Sequence, residues 1–145
     1  KINFFCMGGL PFFFEEIKDK IKMIKWVNSY QYHLPIRNFR PDFGIAPLVP
    51  NYFNYSKSCI KYQEYCAVGA VGLGTVFTNG KPSPYDVCQI KVPDNASVSD
   101  IDDIFWPLTE PDKYNEVLKK QYNQLYDNGW FMESEKYLKR LTDIL

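Results

Sequence analysis

The residues best suited to chemistry lie in one stretch, Asn54-Tyr55-Ser56-Lys57-Ser58-Cys59-Ile60-Lys61-Tyr62-Gln63-Glu64-Tyr65. Read as a helix, with about 100° of rotation per residue, Asn54, Lys57, Lys61 and Glu64 fall within about 80° of one another. Tyr55, Cys59, Tyr62 and Cys66 fall on the opposite side and form the packing face. A helix that follows a strand end offers free backbone N–H groups and a positive dipole end, which attract anions. Lys57 and Ser58 in the first turn add an ammonium and a hydroxyl, a set that suits a diphosphate, with Ser56 and Lys61 beside them. Glu64, two turns on, suits a ribose or sugar diol, because an ionised carboxylate only accepts hydrogen bonds. The same spacing also fits a solvated face carrying a Lys–Glu pair.

The elements that would position this stretch alternate. Apolar runs at 2–7, 22–27, 43–49, 71–78 and 89–92 read as strands. Between them 15–22, a segment capped by Ser29 and running through Tyr30, Tyr32, Leu34 and Ile36, and 54–68 read as helices, with Gly69 as the cap that ends the third. Asn79-Gly80 and Pro84-Tyr85-Asp86 read as turns, and 93–112 as polar, proline-interrupted chain in which Ile104-Phe105-Trp106 covers something apolar. Val117, Leu118, Tyr122, Leu125 and Tyr126 recur at helical spacing up to Asn128-Gly129, and Leu138, Leu141 and Leu145 mark a last amphipathic helix. The expected fold is a single α/β domain over 1–145, a Rossmann-like parallel sheet with helices on both faces and C-terminal helices, its ligands at the carboxyl ends of the strands.

Composition narrows the function classes. The 145 residues carry 17 Lys+Arg and 17 Asp+Glu, so no strong basic field for nucleic acid is expected. Four cysteines without a CxxC pair and one histidine, His33, give no metal set, and the thiols are expected reduced and buried in a cytoplasmic protein. In that compartment the glycosylation triplet Asn95-Ala96-Ser97 stays unmodified. No apolar run reaches the roughly 20 residues that span a bilayer. Trp26, Trp106 and most of the other aromatics are expected in the core, and His33 is read as structural.

Three segments, Pro41-Asp42-Phe43-Gly44-Ile45-Ala46-Pro47-Leu48, Phe53-Asn54-Tyr55-Ser56-Lys57-Ser58 and Lys61-Tyr62-Gln63-Glu64-Tyr65-Cys66-Ala67-Val68-Gly69, resemble the C-terminal lobe of GT-B type glycosyltransferases. The likeness is to the large retaining group that includes glycogen-synthase-like and capsule or lipopolysaccharide sugar transferases. It covers residues 1–92 in layout and is specific across 41–69. It implies that Glu64 holds the ribose of a nucleotide sugar, that Lys57 and Ser58 meet its diphosphate, that Gly8 and Gly9 border the cleft, and that Val27 and Asn28 lie near the base. With Asn54, Ser56 and Lys61 these form the implied site, and the nucleotide-diphosphate sugar is a substrate rather than a cofactor.

The chain departs from the family pattern in places. Ser56 stands where many members have a second glutamate, and Val71 where proline is usual. The family's phosphate-binding Arg and Lys precede the first strand seen here. The resemblance therefore implies a lobe whose acceptor-binding N-terminal half is missing, expected to bind donor without turnover by itself. The whole enzyme would transfer the sugar to a glycan, lipid or other acceptor, and its association with a membrane would be peripheral. A non-catalytic nucleotide- or partner-binding module derived from such a lobe is the alternative. A receiver-like domain would need an acidic cluster at the strand ends, and only Asp42 lies near one.

Overall fold

The computed structural model describes residues 3–9, 12–28, 31 and 33–128, with the side chains of 12–14, 33 and 34 excepted. Ser29, Tyr30, Tyr32 and the amphipathic segment ending at Leu145 lie outside the described residues. The chain forms two compact units, Lys1–Phe39 and Arg40–Leu145.

In the first unit β1 (Phe4–Met7) and β2 (Ile21–Ile24) pair in parallel, Phe4 opposite Ile21 and Met7 opposite Ile24. The apolar run stops where expected, at Gly8, whose φ of 95° suits glycine. The link between the strands is a 3-10 helix, Phe12–Lys20, in place of the expected segment at 15–22. Helix α1 (His33–Phe39) carries Pro35 in its first turn, where the missing N–H costs no helical bond. The Phe5 and Phe39 rings meet at 4.7 Å.

The second unit is built on three parallel strands in the order β3 (Phe43–Ala46), β4 (Val71–Val76), β5 (Ile90–Pro93). Strand alternation gives β4 two different faces. Val71 and Leu73 point to one face, where Phe43, Ile90, Val92, Leu108, Val117 and Leu118 close a core. That face is covered by α4 (Val98–Phe105), a 3-10 turn at Trp106–Thr109 and the first half of α5 (Pro111–Asp127). Gly72 and Gly74 point to the other face, covered by α3 (Ile60–Ala67) and by Tyr85. A Cβ on Gly72 would stand 2.7 Å from the Tyr62 ring, and one on Gly44 or Gly74 would run into Tyr65 or Tyr85. The glycines clear space for tyrosine rings to lie on the sheet. Helices thus cover both faces of an all-parallel sheet, and this is an α/β fold.

Two local readings are corrected. Residues 93–112 contain helix α4, started by a capping box in which Ser97 accepts from the Asp100 N–H and the Asp100 carboxylate accepts from the Ser97 N–H. The third strand ends at Ala46 because Pro47 has no N–H to continue a ladder. Gly69 does end α3, with φ 78°, and Gly80 forms its turn with φ 75°.

Candidate functional site

After β3 the chain turns through Pro47–Pro50 into α2 (Tyr52–Tyr55), a single turn capped by Asn51, whose Oδ1 accepts from the Asn54 N–H at 2.9 Å. The helix expected over 54–68 is broken here. The buried Asn54 turns its carboxamide back to donate to the Val49 carbonyl at 2.8 Å, and Ser56 closes α2. Serines at 56 and 58 favour local turns over helix interiors, which is why a wheel drawn through them fails. Asn54 therefore leaves the polar stripe. Ser56, Lys57 and Ser58 form an exposed turn between α2 and α3. The Lys57 ammonium rests 4.7 Å from the centre of the Phe53 ring.

Helix α3 keeps the faces the spacing predicts. Tyr62 and Cys66 are buried, and Lys61 pairs with Glu64 at 2.9 Å on the open side. Its N-cap, Cys59, makes no side-chain capping bond; its Sγ accepts instead from Gln63 Nε2 at 3.5 Å. Burial pushes the Cys59 thiol above its ordinary value. The strands are parallel and α3 runs back against them, so its first turn lies at the carboxyl edge of the sheet.

The loop after β4 completes this edge. Thr75 Oγ1 accepts from the Leu48 N–H at 3.1 Å. Ser83 donates to the Thr75 carbonyl and accepts from the Tyr85 N–H, which fixes the turn. Asp94 accepts from both the N–H and the hydroxyl of Thr78, and these bonds hold its carboxyl below the usual range. Tyr85 is 4% exposed, its ring base packed on Gly74. Among the described residues its hydroxyl has no hydrogen-bond partner, and Cys59 packs against the cluster that holds its ring. Burial pushes the Tyr85 phenol up to about 12, and Cys88, Cys59 and Glu64 push in the same direction.

Six of the residues singled out from sequence, Asn54, Ser56, Lys57, Ser58, Lys61 and Glu64, thus lie on α2, α3 and the turn between them. Asn54 is inside, and the other five are at least partly open to solvent. Gly8, Gly9 and Asn28 belong to the first unit, at the carboxyl ends of β1 and β2. There a Cβ on Gly8 would stand 2.9 Å from Trp26, and Asn28 Oδ1 accepts from the Gln31 N–H at 3.0 Å. Trp26 and Trp106 are 75% and 52% exposed, against their expected place in the core. Sequence reasoning gave Tyr85 no role. A tyrosine that directly follows Pro82-Ser83-Pro84, in a turn, has no periodicity to show which way it points.

No protein family, curated protein or solved structure matches this chain. Among the described residues no three His, Cys, Asp or Glu side chains gather as a metal-binding group, and no helix is long and apolar enough to cross a membrane.

Proposed function

We propose that the chain is the donor-binding lobe of a GT-B type glycosyltransferase, which takes a nucleoside diphosphate sugar for transfer to a glycan, lipid or other acceptor. The observation that carries this reading is the exposed Lys57-Ser58 turn directly ahead of α3, at the carboxyl edge of a parallel sheet. Lys57 and the start of α3 would balance the charge that develops on the departing diphosphate. Reaching a phosphate costs Lys57 only its contact with Phe53, about 0.5–1 kcal/mol at an open site. A charge-assisted bond to phosphate is stronger than that. Glu64 would exchange its partly exposed pairing with Lys61, worth roughly 0–1 kcal/mol, for the ribose hydroxyls. Cytoplasmic placement belongs to the same proposal.

A thermal-shift series with UDP, GDP, ADP and CMP and their sugars tests it. Ligand at 100 times its dissociation constant adds about 2.7 kcal/mol of stability. One nucleotide class should raise the melting temperature of the parent, and Lys57→Ala and Glu64→Ala should each abolish the shift. Millimolar nucleotide without effect sinks the reading. That outcome would favour a non-catalytic partner-binding module, a reading supported by the side chains of Tyr52 and Phe53, 90% and 73% exposed beside the same turn.

A further inference from the structure

Helix α4 is capped firmly but covered poorly. Its capping box fixes the first turn, yet none of its residues is buried. Its inner side is Ile104, packed on the core of the β4 face, and Phe105, whose ring meets Phe43 at 4.9 Å. Val98, Asp102 and Trp106 follow one another at intervals of four and form one row along the helix. The Trp106 N–H donates to the Asp102 carbonyl, so the row keeps helical register to its end. Ile101, three residues after Val98, lies beside it. Val98, Ile101 and Trp106 are 78%, 45% and 52% exposed.

The charges around this row have one sign. The segment 94–112 carries Asp94, Asp100, Asp102, Asp103, Glu110 and Asp112 and no Lys or Arg, in a chain whose charges balance as a whole. No ion pair among the described residues includes any of these six. Asp94 and Asp100 accept from the neutral Thr78 and Ser97, and Asp102, Asp103, Glu110 and Asp112 stand exposed. Helices that lie on membranes carry Lys and Arg on their polar face, and anionic headgroups repel carboxylates. An apolar row set in an acidic field therefore matches a cationic partner rather than a lipid surface.

We infer that the outer side of α4 is a docking surface for a basic amphipathic helix of a partner protein. The row repeats about every 6 Å, the rise of four helical residues. A partner helix offers its own anchors at that spacing. Its apolar side chains cover Val98, Ile101 and the Trp106 indole, and its Lys or Arg side chains meet Asp102 and Asp103. Asp102 lies between Val98 and Trp106, so it loses water when they are covered and needs a cation in its place. An Arg that reaches it also lies against the indole face, which attracts cations. The carboxylates set the sign of the partner and speed its encounter, and the apolar row supplies the affinity. The inference stands on α4 alone and does not depend on the nucleotide-sugar reading.

The test titrates the full 145-residue chain against a dye-labelled peptide of Leu and Lys in amphipathic helical order, read by fluorescence anisotropy. A peptide of the same composition in scrambled order is the control. The parent should bind the amphipathic peptide more tightly than the scrambled one and lose affinity as salt is raised. Asp102→Asn should weaken binding about 2- to 5-fold, the scale of one exposed charge pair. Trp106→Ala should weaken it about 10-fold, the scale of an aromatic anchor. Trp106 also touches the Phe105 ring, at 5.4 Å, so Val98→Ser is the second apolar variant. Val98→Ser and Asp102→Asn should keep the parent's melting temperature, and Val98→Ser should weaken binding. Equal affinity for the two peptides, equal affinity of parent and Val98→Ser, or no binding at all overturns the inference. A dimer of the chain alone that Val98→Ser dissociates in sedimentation would put a second copy on α4 and overturn it. Binding to phosphatidylserine vesicles that Val98→Ser abolishes would do the same in favour of a membrane.

Discussion

At the scale of single residues, Gln121 shows how one side chain holds this sheet. It is fully buried, at 0% exposure. Its Oε1 accepts from the Gly72 N–H at 3.2 Å, and its Nε2 donates to the Ala70 carbonyl at 3.2 Å and to Cys66 Sγ. Strand β5 pairs with β4 only from Leu73 onward. The carboxamide of Gln121 therefore takes the place a strand residue would occupy one step earlier. Gln121→Leu keeps the volume and strands two buried backbone groups, each costing about 1–3 kcal/mol. A loss of about 2–5 kcal/mol in urea unfolding is expected, with the slope against denaturant unchanged. A variant as stable as the parent would mean that water replaces the amide.

At the scale of elements, the glycines of β3 and β4 set the spacing between sheet and helix. Gly74→Ala forces its methyl into Tyr85 and the Cys88 sulfur, and overpacking of this kind costs about 1–3 kcal/mol. Gly9→Ala, with nothing within 4 Å of its Cβ, is the matched control and should shift the melting temperature little. The sequence exposed the elements unevenly. Strands β1, β3 and β4 were readable because each is a short apolar run closed by Gly, Pro or Asn-Gly, whereas β2, Ile21–Ile24, lies between two lysines and stops short of the expected 22–27 run; Gly69 was readable as a helix end because of its position. The break between α2 and α3 was not, because it depends on Asn54 finding the Val49 carbonyl, a contact only the folded loop supplies. Helix α4 was hidden by its surface character, since none of its residues is buried, although Ser97 and Asp100 are a capping signature. Of the candidate stretch, Lys61 and Glu64 share an open face of α3 as their spacing predicts, whereas Lys57, read on the same stripe, lies in the turn ahead of that helix. Asn54 was assigned to the open surface and is buried.

At the scale of the whole molecule, the second unit buries groups that ionise in alkali. Burial raises the Cys66 and Cys88 thiols above their ordinary 9.0 and the Tyr85 phenol to about 12. In the unfolded chain these thiols release protons near pH 9 and the phenol near 10, while the native state retains them. Above pH 9 the native state thus binds more protons, so stability falls as pH rises. The contribution is complete below pH 9 and is lost progressively toward pH 12. Melting temperatures taken at pH 7, 9 and 10.5 should decline over the last interval, and Cys66→Ala with Cys88→Ala should flatten that decline. A parent curve level to pH 10.5 would show that these groups are not sequestered in solution.

The amide of Gln121 also sets an order on assembly. Strand β4 is laid down in the middle of the second unit, yet the group that completes its hydrogen bonding comes from α5, some fifty positions later. Gln124 repeats the arrangement, holding Tyr62 of α3 and the Val87 carbonyl from the same late helix. A nascent chain that has emerged only as far as β5 has its three strands but not their closure. On the ribosome, then, the unit is expected to gain native hydrogen-exchange protection in a single late event, when α5 emerges, rather than strand by strand.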